Sequence, residues 1–372
     1  MSTSVRSSKA AVLTQYGSPL EVWSIDVPEP EPRAVIVEVE AATMCGTDVH
    51  MHAGDFEPLG LSKIPLVMGH EIVGRIVAIG TAGRRDALGR TLQVGDRVAW
   101  AYAWCGECYF CAIAKQPTLC EFNRQYGWGP ANEFPYLTGG FSEFAYIMPE
   151  CKMIRIPDNL ESDVAASATC AFRTIVHAFE RAGGVRTSDN VVVQGSGAVG
   201  IYAVAYALGS GARQVIVVGA PDERLAIAES WGAHEVINVE TTEPSERAAR
   251  IRDLTEGRGA DLVVECAGNR FALEEGVDFA RRGGRYLVIG QSDPTPARLR
   301  GTLFNVGQLT VTGSVSADIS HYYRALQFAS DNVDRFPFAS LLGTEYSLSN
   351  VSNALEALAS GRETRPVIRP TK

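Results

Sequence analysis

Hydrophobic and polar residues change their spacing along the chain near residue 165. Before that point, short Val- and Ile-rich runs with period-two alternation are separated by glycines and prolines, a pattern typical of small sheets or a barrel. These runs predict strands at 34–39, 72–79, 97–102 and 142–147. We therefore expect the first part of the chain to be β-rich, with the cysteine- and aromatic-rich stretch at 100–146 largely in loops.

The second part of the chain alternates between strand-like and helix-like segments. The pattern predicts helices at 164–182, 199–209, 223–231, 244–255 and 272–280. It predicts strands at 190–194, 214–218, 235–238, 261–266, 285–289 and 309–313. Such alternation indicates βαβ units and a parallel sheet. The last segments are predicted to be helices at 319–330 and 351–360 and a terminal strand at 366–368.

Composition and charge disfavour several classes of partner. The 372 residues are 46% hydrophobic and 21% charged, which is ordinary for a folded globular protein. With 34 basic and 43 acidic residues, the formal net charge is −9, so we expect no nucleic-acid partner and no membrane partner. Gln15, Gly17 and Pro19 interrupt the first apolar stretch, which predicts that there is no secretory signal and that the protein is cytoplasmic.

Half of the eight cysteines lie within sixteen positions, at Cys105, Cys108, Cys111 and Cys120. Two-residue gaps let successive thiolates of one loop reach one tetrahedral ion, and a fourth cysteine closes the coordination shell, as in structural zinc sites. An iron–sulfur cluster, a redox pair and free buried cysteines are the alternatives. A nucleic-acid-binding zinc module is disfavoured, because the flanking residues supply little positive charge.

A second set of metal-type residues is dispersed along the chain. Cys45 begins the segment Cys-Gly-Thr-Asp-Val-His, His70 is the middle residue of Gly-His-Glu, and Cys170 lies in the first long predicted helix. Two cysteines and one histidine would leave a fourth coordination position open, which is the arrangement of a catalytic zinc. The residue types alone leave this open, since a single histidine is more often an ordinary polar residue than a metal ligand.

A glycine-rich turn lies between a predicted strand and a predicted helix, and its glycines are Gly195, Gly197 and Gly200. In the pattern G-x-G-x-x-G, the first glycine makes a tight turn and the second lets the backbone approach a pyrophosphate. The third allows the helix to pack closely on the strand. Because the turn has strand and helix on its two sides, it predicts a dinucleotide-binding site.

The residues after the next strand affect the choice between NAD and NADP. An acid that holds the ribose 2′-hydroxyl is expected there, but the strand ends in Gly219. Asp222 and Glu223 could supply the same function, whereas Arg224 is the local candidate for binding a 2′-phosphate. We favour NAD over NADP.

Taken together and in this order, the motifs resemble the zinc-dependent medium-chain dehydrogenase/reductase family, and within it the alcohol dehydrogenases. They are Cys-Gly-Thr-Asp at 45–48, Gly-His-Glu at 69–71, Val-Gly-Asp-Arg-Val at 94–98, the four cysteines, Gly-Gly-Phe-Ser-Glu at 139–143, the glycine turn and Gly-Arg-x-x-Arg-x-Val-Ile-x-Pro at 361–370. The resemblance implies an α/β fold. A β-rich GroES-like catalytic domain would span 1–165 and a doubly wound parallel Rossmann sheet 166–316, and 317–372 would return to the catalytic domain.

The resemblance also implies roles for individual residues. A catalytic zinc ion would be held by Cys45, His70 and Cys170, with Glu71 beside it. Thr47 would hydrogen-bond the substrate oxygen, and His50 would pass the substrate proton on to solvent. The four clustered cysteines would hold a structural zinc ion, which makes two zinc ions per chain. The gap before Cys120 is one residue longer than the family usually has.

For the cofactor and the substrate, the resemblance names further positions. Thr174 and Val199 would contact the nicotinamide, and Arg365 would reach the cofactor phosphates. The substrate pocket would be lined by Phe56, Ala101 and Gln291. Ala101 stands where the family often has a bulky residue, which favours a wider pocket.

The sequence therefore predicts a zinc-dependent oxidoreductase that transfers a hydride between an alcohol and NAD(P), giving a ketone or an aldehyde. We expect a bulky, cyclic or aromatic alcohol. A homodimer or homotetramer is expected, with the edge strand at 309–313 as the contact, and the loop at 121–140 is a candidate substrate lid or subunit contact. The alternatives are a polyol or sugar-alcohol dehydrogenase of the same fold, a zinc-free reductase, and a non-catalytic dinucleotide-sensing or scaffold protein.

Overall fold

A computed structural model describes residues 7–61, 63–290 and 295–372. Its strands are β1 (Ser7–Leu13), β2 (Glu21–Asp26), β3 (Val35–Thr43), β4 (Leu66–Val67), β5 (Glu71–Ile79), β6 (Arg97–Trp100), β7 (Phe144–Ile147), β8 (Met153–Arg155), β9 (Asn190–Gln194), β10 (Gln214–Gly219), β11 (Glu235–Asn238), β12 (Ala260–Glu265), β13 (Ala280–Val288), β14 (Thr310–Gly313), β15 (Glu345–Tyr346) and β16 (Val367–Ile368).

Helices occupy much of the remaining chain. They are α1 (Gly46–Ala53), α2 (Ser162–Ser167), α3 (Arg173–Arg181), α4 (Ala198–Gly209), α5 (Asp222–Ser230), α6 (Pro244–Leu254), α7 (Arg270–Phe279), α8 (Thr302–Asn305), α9 (Ile319–Asp331) and α10 (Val351–Ala359). Within the described ranges, none of them is both long enough and apolar enough to cross a membrane.

Two compact units divide the chain. The first unit consists of Met1–Cys170, Ala317–Val333 and Pro337–Lys372. The second consists of Ala171–Ser316 and Asp334–Phe336. The C-terminal part of the chain thus belongs mainly to the same unit as the N-terminal part.

The first unit is built on β-sheets. A seven-stranded sheet has the order β15-β16-β3-β5-β6-β8, with β7 also paired to β3, and a smaller sheet has the order β2-β1-β4. The antiparallel pairing of β3 with β5 sets Thr43 opposite Glu71, and the pairing of β16 with β3 sets Val367 opposite Thr43. Because of this register, the end of β3, the start of β5 and the C-terminal strand meet at one place.

The second unit contains a six-stranded parallel sheet with the order β11-β10-β9-β12-β13-β14. The chain passes from β9 outward to β10 and β11, and then returns to the other side of β9 for the last three strands. This is the strand order of a doubly wound Rossmann sheet, in which ligands bind at the carboxyl ends of the strands where the order reverses. All five residues of β9 are buried, as expected for a strand covered on both faces. The predicted α/β fold with a parallel sheet is confirmed.

One predicted helix differs in a way that affects the candidate site. The single helix expected at 164–182 is interrupted by a π-helical turn at Ala168–Phe172, which contains Cys170. Thr169 Oγ1 donates to the carbonyl of Ala166 at 2.6 Å and accepts from the backbone N–H of Ile72 at 3.2 Å. The turn is therefore attached to β5 beside Glu71. Such single π turns within helices occur frequently at functional sites.

Candidate active site and metal centres

The dispersed metal-type residues come together in the first unit. Cys45, His70, Glu71 and Cys170 each offer one ligand atom, and these atoms all lie within 4.8 Å of one another. His70 is 5% exposed and Glu71 is fully buried. Cys45 precedes α1, His70 and Glu71 stand at the start of β5, and Cys170 comes from the π-helical turn, so three separate chain segments build this cluster.

Asp48 supports two of these residues, although the sequence analysis gave it no role. Its side chain is fully buried. One carboxylate oxygen accepts from the backbone N–H of Cys45 at 2.9 Å, and the other lies 3.3 Å from His70 Nδ1. The opposite ring atom, His70 Nε2, lies 3.3 Å from Cys45 Sγ. A carboxylate on one nitrogen of a histidine fixes which nitrogen faces a metal, and this is a common support for zinc-binding histidines.

The side chains of the cluster strongly perturb one another's protonation. The hydrogen bond from Cys170 lowers the pKa of Cys45 to about 6 against the effect of burial, and the same contact raises the pKa of Cys170 to about 12. Burial favours a neutral His70, but the charges of Asp48, Cys45 and Cys170 outweigh it and raise the pKa of His70 well above its usual value. Cys45 is therefore the thiol of the pair that ionises more readily. Two sulfurs and an imidazole converging in this way suit zinc, which binds thiolates and neutral histidine and displaces their protons.

Glu71 is held by two buried groups. Thr43 Oγ1 donates to one carboxylate oxygen, and Arg365 donates to the other at 2.6 Å. Burial raises the pKa of Glu71 to about 7, although Arg365 acts in the opposite direction. Arg365, which the sequence analysis expected at the cofactor phosphates, has a 1% exposed side chain and pairs with Glu71 through Nη2, and its contact with the cofactor stays a prediction. The strand register explains this position, because Arg365 enters β16 beside the end of β3.

The two expected relay residues lie on α1. Among the described residues, the partner of His50 is Asp55, whose carboxylate lies 2.7 Å from Nδ1. Gly54 ends the helix with a positive φ of 87°, and the chain turns back so that the N–H of Asp55 donates to the carbonyl of His50. Thr47 lies in the first turn of the same helix. Sequence reasoning missed Asp55, for which the helix-ending glycine was the available signal.

The four clustered cysteines also converge in the structure. Their ligand atoms lie within 4.8 Å of one another. The backbone N–H of Cys108 donates to Cys105 Sγ at 3.3 Å, and that of Cys105 donates to Cys120 Sγ at 3.4 Å. The backbone N–H of Cys111 is the main cause that lowers the pKa of Cys108 to about 7. Burial, in contrast, raises the pKa of Cys111 to about 12 and also raises that of Cys120, so a metal bound here must displace protons from the thiols. The convergence of four sulfurs fits a closed structural zinc site.

The longer gap before Cys120 is accommodated within the segment. Lys115 has a positive φ of 55°, and a 3₁₀ turn at Pro117–Leu119 follows it. After these two turns, the sulfur of Cys120 lies within 4.8 Å of the other three sulfurs. The eight-residue gap between Cys111 and Cys120 is therefore compatible with a four-cysteine site.

The glycine turn of the second unit has the geometry that its pattern requires. A Cβ on Gly200 would lie 1.9 Å from the carbonyl oxygen of Gly195, and Gly195 itself has a φ of +102°. Gly197 caps the N-terminus of α4, and no described residue other than its two chain neighbours lies within 4 Å of the position that a Cβ would take there. The open backbone at this helix N-terminus fits a pyrophosphate.

The other cofactor positions also lie in the second unit. Val199 is the second residue of α4, and Thr174 is the second residue of α3. Gly219 ends β10, and Arg224 lies in the first turn of α5.

The residues expected in the substrate pocket differ in their surroundings. Phe56 is half-buried, and its ring lies 4.9 Å from that of Trp128 and 6.3 Å from that of His50. Ala101 is fully buried, and Gln291 lies outside the described residues. The loop that carries Trp128 is packed onto the metal-type cluster, because a Cβ on Gly127 would lie 3.1 Å from His70 Cβ.

Comparison with known proteins gives consistent matches along the chain. The alcohol dehydrogenase GroES-like domain family matches residues 31–158, and the zinc-binding dehydrogenase family matches residues 198–331. The 5-exo-hydroxycamphor dehydrogenase of Pseudomonas putida is 33% identical over 376 residues, which cover 98% of this chain and 99% of that protein.

Solved structures agree with these matches. An alcohol dehydrogenase from Thermotoga maritima is 32% identical and superposes with a TM-score of 0.93, covering 98% of this chain and 99% of that chain. Benzyl alcohol dehydrogenase from Acinetobacter calcoaceticus is 26% identical with a TM-score of 0.84, covering 98% and 99%.

The fold and the matches define a zinc-binding oxidoreductase that uses a nicotinamide cofactor. The chain belongs to the zinc-dependent medium-chain dehydrogenase/reductase family. It is an enzyme of the alcohol dehydrogenase type, and its predicted GroES-like and Rossmann architecture is confirmed. The alternative of a non-catalytic dinucleotide-sensing protein is not favoured by these relatives.

Proposed function

We propose that this enzyme interconverts a bulky cyclic or aromatic alcohol and the corresponding ketone or aldehyde, with NAD as cofactor and two zinc ions per chain. The observation that carries the proposal is the cluster of Cys45, His70, Glu71 and Cys170, whose ligand atoms lie within 4.8 Å of one another. When bound there, zinc supplies the Lewis acidity that polarises an alcohol oxygen, and the nicotinamide supplies the hydride acceptor.

Thr47 and His50 carry the substrate proton in this proposal. Thr47 Oγ1 hydrogen-bonds the substrate oxygen, and His50 moves the proton onward. The carboxylate of Asp55 accepts a hydrogen bond from the N–H at Nδ1 of His50. The lone pair at Nε2 of His50 is then available to accept the proton. Asp55 is therefore a positioning residue, since it acts through His50.

The remaining side chains hold the site in place. Asp48 orients His70, and Arg365 balances the buried charge of Glu71. Gly197 and the N-terminus of α4 bind the pyrophosphate, while Val199 and Thr174 contact the nicotinamide. Arg365 reaches the cofactor phosphates in this proposal through its other guanidinium nitrogens, while Nη2 stays paired with Glu71.

The proposed substrate class rests on the apolar rings beside His50 and on the relatives. Phe56 and Trp128 pack on each other at 4.9 Å, and Ala101 is small. The named relatives include a hydroxycamphor dehydrogenase and a benzyl alcohol dehydrogenase, so a cyclic and an aromatic alcohol are both represented. An apolar surface of this kind gains free energy by burying a ring, whereas a polyol needs hydrogen-bonding partners for each of its hydroxyls.

Zinc content and cofactor reduction at 340 nm, measured on the same preparation, test the proposal. Two zinc ions per chain and reduction of NAD with cyclic or benzylic alcohols, in preference to polyols, are expected. Cys45→Ala should lose one zinc ion and all turnover. Cys151 is a buried cysteine outside both clusters, so the control variant Cys151→Ala should retain two zinc ions and the wild-type turnover. One zinc ion per chain without alcohol turnover in the wild-type protein would overturn the proposal.

The proposal extends to the organisation of the protein. Residues 1–165 and 317–372 form the catalytic domain, and residues 166–316 bind the cofactor. A homodimer or homotetramer forms through β14, an edge strand whose Val311 is 42% exposed. None of the eight cysteines, all of which lie within the described residues, forms a disulfide, and this suits a reducing compartment, the cytoplasm. Sedimentation equilibrium would contradict the assembly by giving the mass of a single chain.

A further inference from the structure

Gly219 stands where an acid is expected to hold the adenosine ribose, and its surroundings explain why no side chain is present. A Cβ at this position would lie 2.9 Å from Ser196 Cβ and 2.8 Å from Ser196 Oγ. Ser196 cannot easily move away, because its hydroxyl donates to the carbonyl of Ala220 at 2.7 Å. The glycine turn and the end of β10 are therefore packed too closely for an acid at residue 219.

Asp222, the first residue of α5, brings a carboxylate to the same edge of the sheet. Asn238 ends β11 and pairs with Gly219 across the two parallel strands. Its side-chain oxygen accepts from the N–H of Glu240 at 2.7 Å, and its Nδ2 donates to Asp222 Oδ1 at 2.6 Å. The first hydrogen bond fixes the orientation of the Asn238 amide, so the second holds the Asp222 carboxylate in a defined position beside the end of β10.

We propose that Asp222, held by Asn238, is the residue that selects NAD over NADP in this enzyme. The inference rests on the proposed function, in which a dinucleotide lies on the glycine turn. Among the described residues, Asp222 Oδ2 has no hydrogen-bond partner, and the side chain is exposed. That oxygen accepts a hydrogen bond from the ribose 2′-hydroxyl of NAD, and its charge repels the 2′-phosphate of NADP.

The neighbouring charged residues do not replace Asp222. Glu223 is also exposed, but no described residue holds its side chain. Arg224 would attract a 2′-phosphate, yet the two preceding carboxylates leave this stretch with an excess of negative charge. The sequence left both acids open as ribose partners, and the contact with Asn238 distinguishes them.

Two substitutions distinguish the effect of the Asp222 charge on cofactor binding from the effect of the neighbouring Glu223 charge. Asp222→Asn keeps an oxygen that can accept from Asn238 and removes the charge. Glu223→Gln makes the same change of charge one residue later in the first turn of α5 and serves as the matched control. Binding is measured by calorimetry without alcohol, using ADP-ribose and 2′-phospho-ADP-ribose as probes.

We expect the wild-type protein to bind ADP-ribose at least about tenfold more tightly than its 2′-phosphorylated form, and Asp222→Asn to reduce this ratio about tenfold. Glu223→Gln should leave the ratio unchanged. Asn238→Ala should reduce the ratio partly, because it releases Asp222 without removing the charge.

Several results would overturn the inference. Equal wild-type affinity for the two probes would do so, as would a change of the ratio in Glu223→Gln but not in Asp222→Asn. If Asp222→Asn lost the same factor of affinity for both probes, the substitution would have damaged the fold, and Asp222 would not be the residue that selects the cofactor. Failure of the wild-type protein to bind either probe would instead refute dinucleotide binding in the proposed function.

Discussion

Replacement of Asp48 by asparagine should weaken zinc binding at the dispersed cluster alone. In the wild-type protein, one Asp48 oxygen accepts from the N–H of Cys45 and the other faces His70 Nδ1. Asparagine has nearly the same shape but offers one oxygen and one NH₂ group. If its oxygen remains on Cys45, the NH₂ group points at a His70 nitrogen that also carries a hydrogen. Rotating the amide only moves the same conflict to Cys45.

The size of the effect follows from burial. Asp48 is fully buried and His70 is 5% exposed, so water cannot relieve the two facing donors. A buried polar group without its partner costs about 1–3 kcal/mol. Since about 1.4 kcal/mol corresponds to a tenfold change in a binding constant, zinc affinity should fall by about 10- to 100-fold. Changes to residues that support zinc-binding histidines have effects of the same order.

Competition with a chelator, followed by counting the zinc ions that remain, measures this effect. The four-cysteine site is an internal control, because Asp48 contacts none of its ligands in the described structure. Asp86→Asn is a matched variant, since Asp86 is also buried and accepts backbone N–H groups but lies outside both clusters. Unchanged zinc affinity in Asp48→Asn, or equal weakening of both sites, would refute the reasoning.

Three further predictions follow from the same region. Arg365→Met should lower the free energy of unfolding by about 1–3 kcal/mol, because it removes a buried hydrogen-bond partner of Glu71, whose carboxyl then takes up a proton; an unchanged melting temperature would contradict this. Zinc affinity of the dispersed cluster should fall as the pH is lowered, because the raised pKa of His70 keeps a proton on the ring that zinc must displace; chelator competition that gives the same affinity at acidic and alkaline pH would speak against it. His50→Ala should lower turnover about 100-fold or more with both zinc ions retained, and Asp55→Ala should lower it less; wild-type turnover in both variants would remove the pair from the proposed relay.

Local sequence patterns were sufficient for the architecture and for the segments that carry chemistry. The parallel sheet followed from alternating strand and helix patterns, and the glycine turn was recognisable because its three glycines stand within six positions after a buried strand. The four cysteines could be grouped for the same reason. In each case the residues that act together are close in sequence, so backbone geometry over a few residues determines their arrangement.

Contacts between residues far apart in the sequence could not be predicted from such local patterns. The helix predicted at 164–182 contains a π-helical turn at Cys170, whose Thr169 is bonded to β5. Arg365 is a buried partner of Glu71 because two strand pairings, β16 with β3 and β3 with β5, bring together residues that are 294 positions apart. The supporting roles of Asp48 and Asp55 also depended on the turns that follow Cys45 and Gly54.

The sequence by itself thus determined the fold class, the kinds of side chain available for metal and cofactor, and the family to which they point. Only the tertiary structure decided which of those side chains meet, because strand register and turn geometry are set by packing over the whole domain. Asp222 illustrates the difference. Its spacing after Gly219 is readable in the chain, but its selection over Glu223 depends on Asn238, which lies on a neighbouring strand.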